Sequence, residues 1–175
     1  MTGQVAIDYL GGYVGYMHVG YAGYHKTQAT LVGCWTHARR YFTDAQKAMG
    51  KHKSSKIEWA LNHIQKLYRV ETLIKGIAPD ERYRIRQVKN LLLLSQFITW
   101  LIKSEQQVIG QNDLTVIQYC LNQWEKLQRY TLDGRLSIDN NRAERAIKPF
   151  VIGRRAWMFS QTVKGAKASA VLYSV

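Results

Sequence analysis

The chain has 175 residues, 25 Lys and Arg against 12 Asp and Glu, and a formal net charge of +13 with histidine neutral. That length accommodates one well-buried core, or a small core with a helical appendage, and excludes two full domains. The cationic surplus favours association with a polyanion, because each neutralised phosphate releases counterions, although a solubilising surface or ribosomal-type RNA contact would use it equally. Cys34 and Cys120 lie far apart in apolar stretches. They form neither a disulfide framework nor a metal-ligand spacing, so buried thiols in a reducing compartment are expected. The run Leu91-Leu92-Leu93-Leu94 is closed in by Lys89, Lys103 and Glu105, too short and interrupted for a bilayer. Met1-Thr2-Gly3-Gln4 lacks a signal-peptide pattern. A cytoplasmic protein with no membrane partner is the expectation.

Taken in chain order, residues 5–34 differ from all that follow. Gly11, Gly12, Gly15, Gly20 and Gly23 alternate with Tyr9, Tyr13, Tyr16, Tyr21 and Tyr24, a mixture suited to tight turns and half-buried strands or short helices. Thr30-Leu31-Val32-Gly33-Cys34 reads as a buried strand. From Trp35 the period lengthens: Trp35, Ala38, Phe42 and Ala45 share a helical face while Arg39, Arg40 and Lys47 lie off it. A basic linker over Lys51 to Lys56 precedes a second helix with Ile57, Leu61, Ile64, Leu67, Tyr68, Glu71 and Ile74 at helical spacing.

Pro79 suits a first helical position, with Asp80 and Glu81 in the turn where exposed amides favour negative charge. The pattern continues to about Val108 through Tyr83, Ile85, Val88, Leu91, Leu92, Phe97, Trp100 and Leu101, roughly 45 Å of helix if unbroken. Asn112 or Asp113 can cap the next helix, which carries Leu114, Ile117, Cys120 or Leu121, Trp124 and Leu127. Residues 57–130 are therefore expected to form an almost purely helical layer. Leu132-Asp133-Gly134-Arg135 is a turn. Asp139 or Asn140 then caps a short helix expected to stop near Lys148, because Pro149 lacks a ladder donor. Phe150 to Phe159 reads as partly extended, with Trp157-Met158-Phe159 as a strand.

The chemistry concentrates at Ile138-Asp139-Asn140-Asn141-Arg142-Ala143-Glu144-Arg145-Ala146-Ile147-Lys148-Pro149. Glu144 lies four residues before Lys148, a spacing that equally describes a surface ion pair worth about 0.2–0.5 kcal/mol. Asp139 can be simply a helix cap, worth about 1 kcal/mol. Against these plain readings stands the density of cations after Asp139: Arg142, Arg145, Lys148, Arg154, Arg155, Lys164 and Lys167, with Glu144 the sole further acid. In such surroundings a carboxylate can hold Mg²⁺ while nearby cations hold the phosphate that the metal activates. Arg39 and Arg40 are further candidates for phosphate contact. Cys34 and His37 are three apart, but a closed zinc site lacks its other ligands. His18 and His25 flank a Gly-Tyr turn and read as surface histidines.

Several segments together resemble the transposases of the IS66 family: Gly20-Tyr21-Ala22-Gly23-Tyr24, Leu31-Val32-Gly33-Cys34-Trp35-Thr36-His37-Ala38-Arg39-Arg40, Asp133-Gly134-Arg135-Leu136 running into Asp139 to Pro149, and Gly153-Arg154-Arg155-Ala156-Trp157-Met158-Phe159. The resemblance covers almost the whole chain. It implies a DDE-type recombinase in which a ribonuclease-H-like core binds two divalent metals, Mg²⁺ or Mn²⁺, through an Asp, Asp, Glu triad that activates water and then a DNA 3′-hydroxyl. Glu144 would be the triad's glutamate and metal ligand, presented by the turn of Asp139, Asn140 and Asn141. The implied fold class is α/β and helix-dominated, with a partial ribonuclease-H-like core at 1–50 and 131–175 and a helical insertion at 51–130.

The departures from that pattern bear on activity. An aspartate precedes the Gly-Tyr-Ala-Gly-Tyr segment in the family, whereas Val19 stands here; the nearest upstream carboxylate is Asp8, which reads as a solvated surface acid. The first aspartate belongs on a strand further upstream than this chain reaches. One glutamate cannot balance two metals, so weak or no metal binding and no strand transfer are expected. The expectation is therefore a truncated or inactive transposase fragment of the bacterial cytoplasm, at the nucleoid when bound to DNA. The alternative is a non-catalytic remnant that holds transposon-end or target DNA, or associates with itself or an intact transposase. A third reading is an unstable product whose unpaired sheet edges promote aggregation.

Overall fold

The computed structural model describes residues 15–18, 29–49, 55–107 and 111–158. Its two short strands, β1 (Tyr16–His18) and β2 (Thr30–Val32), run parallel, with Tyr16 opposite Thr30 and His18 opposite Val32. Thr30 N–H donates to the Gly15 carbonyl at 2.7 Å. Backbone groups of successive strand residues face opposite neighbours, so Leu31 and Gly33 direct theirs away from β1. There Gly33 N–H donates to the Lys126 carbonyl at 2.8 Å, and the Arg129 guanidinium donates to the Leu31 carbonyl at 3.0 Å. The expectation of unpaired edges is thus corrected at β2, where the end of a helix serves as second partner. A Cβ on Gly33 would lie 2.9 Å from the Leu127 nitrogen, which is why a glycine stands where the helix comes this close.

Helices account for most of the described chain, as the periodicity predicts. Helix α1 (Trp35–Ala48) buries Trp35, Ala38, Phe42 and Ala45, the face read from spacing. Helix α2 (Ser55–Leu73) buries Ile57, Ala60, Ile64 and Leu67. Helix α3 (Pro79–Ile85), a π-helical turn (Arg86–Asn90) and α4 (Leu91–Glu105) follow one another without a break, and α5 (Gln111–Gln128) ends in a 3-10 turn (Arg129–Leu132). Val32, Trp35, Phe42, Ile64, Phe97 and Leu101 belong to one buried cluster that joins β2 to the helical layer. Cys34 and Cys120 are both buried and in no disulfide, and burial pushes the Cys120 thiol up to about 12. Among the described residues, no helix is long and apolar enough to cross a membrane.

The inner face of α3, the π turn and α4 differs from the one the apolar pattern suggests. Tyr83, Val88 and Leu92 are exposed, whereas Arg86 and Asn90 are fully buried. Polar side chains hold this inner position because each finds buried partners, described below. At the other end of α4 the hydrophobic reading stands, with Leu94, Phe97 and Leu101 buried.

His63 is a buried polar group within that core. Its Nε2 lies 2.8 Å from the Leu93 carbonyl, so this nitrogen carries the hydrogen, and its ring stacks on Trp59 at 4.6 Å. Burial holds its pKa below the ordinary histidine value, outweighing the carbonyl contact that favours the charged form, and Lys66 adds to the lowering. The unfolded chain therefore takes up the proton first. The full contribution of neutral His63 is present above a pH of about 6.5 and is lost as pH falls below it towards the folded value. Thermal unfolding between pH 7.5 and 5.5 should show a fall in midpoint for the native chain that His63→Gln reduces; equal falls would contradict it.

A second compact unit begins at Asn140. Its helix α6 (Asn141–Met158) contains Pro149, which corrects both the expected stop near Lys148 and the expected extended stretch after Phe150; Phe159 lies outside the described residues. Proline in a helix interior removes one ladder bond at about 3 kcal/mol or more. Here Arg145, whose carbonyl would have accepted it, and Pro149 are both exposed, so water can serve the carbonyl.

Candidate functional site

The segment leading to the acidic motif is built on a tight turn. Asp133 Oδ1 accepts from Arg135 N–H at 2.7 Å, and the Arg135 guanidinium closes onto Oδ2 at 2.6 Å. These two contacts hold the Asp133 carboxyl below its ordinary range. Gly134 lies directly on the start of α3: a Cβ there would come within 1.7 Å of the Pro79 carbonyl oxygen. No side chain fits without moving backbone.

Beneath this turn sits Arg86, with all five of its N–H groups in use. Nε and Nη2 donate to the two oxygens of Glu71 at 2.9 and 2.6 Å; Nη1 donates to the Tyr130 and Asp133 carbonyls, and Nη2 also to the Leu136 carbonyl, each at 2.8 Å. The guanidinium lies 5.2 Å from the centre of the Tyr130 ring. Asn90, one turn along, donates to Glu71 at 3.1 Å and to the Tyr130 hydroxyl at 2.7 Å, while Gln87 donates to the Thr131 carbonyl at 2.9 Å. A buried charge is tolerable when paired and fully hydrogen-bonded, and the π turn brings Arg86, Gln87 and Asn90 to the same side.

Further on, Asp139 is partly buried and its Oδ2 accepts from the Thr36 hydroxyl at 3.2 Å and the Tyr68 hydroxyl at 3.1 Å. The two hydroxyl oxygens lie 3.0 Å apart. Burial, against the Thr36 contact and with the Asp139 charge, pushes the Tyr68 phenol well above its ordinary value. Asp139, expected as a helix cap, ties α1 and α2 to this segment. Neither Thr36 nor Tyr68 was recognisable beforehand as its partner.

In the second unit, the Asn140 carbonyl accepts from Glu144 N–H at 2.9 Å, the first ladder bond of α6. Glu144 is exposed in the first turn of that helix, where the N-terminal dipole favours an acid. Arg142, Arg145 and Lys148 are exposed along it, with Arg145 Nε reaching the Asn141 carbonyl at 3.2 Å. Arg154 and Arg155 also fall on α6, their side chains outside the described residues, as are Lys164, Lys167, Asp8, Val19, His25 and the Gly20 to Tyr24 segment. On α1, Arg39 and Arg40 are exposed. His37 is partly buried beside the buried Cys34.

These donors do not fit a two-metal centre. Two divalent ions need several carboxylate oxygens. Glu144 is exposed on its helix and Asp139 Oδ2 is engaged by two hydroxyls. Among the described residues, no three His, Cys, Asp or Glu side chains are grouped to hold a metal ion. What the arrangement offers chemically is cation-rich helix surface with a carboxylate at one end.

The described residues are largely helical, with a carboxylate set among cations at the start of α6. The sequence model of the family described as "Transposase IS66 family" matches residues 2–168, and the chain belongs to that family. It is 30% identical over 173 residues to the uncharacterized protein y4hP of Sinorhizobium fredii, covering 93% of this chain and 31% of that protein. It is similarly 30% identical to y4jD of the same organism, over 83% of this chain and 28% of the relative, and 32% identical to y4qI, over 81% and 26%. The chain thus spans about three tenths of the length of these curated relatives. No solved structure matches.

Proposed function

We propose that this chain belongs to the machinery of DNA transposition as the part of an IS66-type transposase that carries the third acid and the helical insertion, and that on its own it holds DNA rather than cutting it. The observation that carries this reading is the family match over residues 2–168, combined with a described structure in which no three metal-binding side chains are grouped. In this reading residues 1–50 and 131–175 are parts of a ribonuclease-H-like core and 51–130 the insertion, supported by the succession of helices α2 to α5 among the described residues between them. Glu144 is the family's glutamate. The DNA contacts are Arg39, Arg40, Arg142, Arg145, Lys148, Arg154, Arg155, Lys164 and Lys167, and the site of action is the bacterial cytoplasm. Exposed Val88 and Leu92 support association with a further transposase chain.

The test is binding to labelled transposon-end and unrelated duplexes across a salt series. Affinity should fall steeply with salt on both, and replacing Arg142, Arg145 and Lys148 together by alanine should weaken binding to every duplex, flattening the salt slope by about 0.9 for each phosphate no longer neutralised. Glu144→Gln should leave affinity unchanged or raise it. Absence of binding at low salt would sink the reading, and Mg²⁺- or Mn²⁺-stimulated nicking by the chain alone would overturn its non-cutting half.

A further inference from the structure

Two of the anchors of the segment 130–139 originate in one turn of α2, beside those supplied by Thr36, Gln87 and the Trp35 amide. Tyr68 and Glu71 are three residues apart and so occupy neighbouring positions on the same side of that helix. The Tyr68 hydroxyl holds Asp139. Both carboxylate oxygens of Glu71 are bonded by Arg86, which in turn donates to the carbonyls of Tyr130, Asp133 and Leu136. Because these acceptors are carbonyls, the clamp sets backbone position whatever side chains the segment bears. Glu71 orients the clamp by occupying one whole edge of the guanidinium, the bidentate geometry in which arginine meets a carboxylate.

We infer that the Tyr68 to Glu71 turn of α2 is a positioning element for residues 130–139, so that the helical layer and the segment leading into the acid-bearing helix move as one piece. A displacement of α2 is passed to the turn at Asp133 through Arg86 and to Asp139 through the phenol. The functional meaning of this coupling rests on the transposition reading above, since that reading gives α6 its role; its mechanics are independent of DNA.

Two backbone amides report on it directly. Leu136 N–H donates to the Asp133 carbonyl at 3.1 Å, and Trp35 N–H donates to the Ile138 carbonyl at 3.1 Å. The experiment is residue-resolved amide hydrogen exchange on the whole chain without DNA, comparing the native sequence with Tyr68→Phe and Glu71→Gln. Tyr68→Phe should speed exchange at Trp35 by about tenfold, and Glu71→Gln should do so at Leu136, while amides in the middle of α4 and α5 keep their native rates. Native rates at both reporters, with mid-helix protection intact, would overturn the inference. If Glu71→Gln exposes the whole fold, the Trp35 amide in Tyr68→Phe decides alone, because that substitution removes one hydroxyl and leaves the packed ring in place. Loss of duplex binding would leave these exchange rates untouched, so the two proposals fail separately.

Discussion

Arg86→Met should lower the unfolding free energy by about 3–5 kcal/mol, the range for breaking a buried ion pair by removing one partner. The loss has two sources. Glu71, with 9% of its side chain exposed, is left with only Arg82 at 3.5 Å and the Asn90 amide, while the carbonyls of Tyr130, Asp133 and Leu136 lose a charged donor. Typical domains have only about 5–15 kcal/mol in hand, so a loss of this size is a large share of the total. Arg86→Lys should fare little better, since an ammonium has three donors in place of a rigid five-donor fork. Joint replacement of Glu71 and Arg86 by leucine and methionine should be milder than Arg86→Met alone, because no carboxylate is left without its main partner, and Arg82, which loses Glu71, is 23% exposed. Urea unfolding followed by circular dichroism measures all three; a loss under about 1 kcal/mol for Arg86→Met would show that the network is not what holds the turn.

Trp35→Ala is the other large effect, again about 3–5 kcal/mol, the range for truncating a buried large aromatic residue. Trp35 is fully buried where β2 gives way to α1, with Phe97 and Trp124 edge-on at 5.6 and 6.3 Å. Its Nε1 donates to the Leu127 carbonyl at 2.8 Å. Trp35→Phe separates the two contributions: most of the volume remains, and the loss should fall to about 1–3 kcal/mol, the range for leaving a buried acceptor without its donor. Denaturant midpoints of the two variants provide the comparison, and equal losses would mean that the hydrogen bond, not the packing, dominates.

The apolar periodicity was sufficient for α1 and α2, because Trp35, Ala38 and Phe42, then Ile57, Ile64 and Leu67, are buried for the ordinary hydrophobic reason. It failed between Tyr83 and Leu92. There the inner positions belong to Arg86 and Asn90, whose partners lie 15 and 40 residues away in sequence, and no local spacing announces such a pairing. Glu71 did fall on the inner face by spacing, a carboxylate among apolar neighbours, and that was the one available sign of a buried cation. Pro149 misled in the opposite direction, since an exposed helix can leave one carbonyl to water. The start of α6 at Asn141 was legible, but Thr36 and Tyr68 as holders of Asp139 were not, because hydroxyl partners are chosen by three-dimensional proximity.

The way β2 is flanked sets a polarity for any larger sheet. The Leu31 carbonyl and Gly33 N–H are occupied by Arg129 and by the Lys126 carbonyl, and the missing Cβ of Gly33 lets the α5 backbone fill the place where a neighbouring strand would lie. A strand arriving on that side would have to unwind the last turn of α5 and expel a guanidinium. Among the described residues, the α5 side of β2 is thus closed to a further strand, from this polypeptide or another, and α5 acts as the end-stop of the sheet.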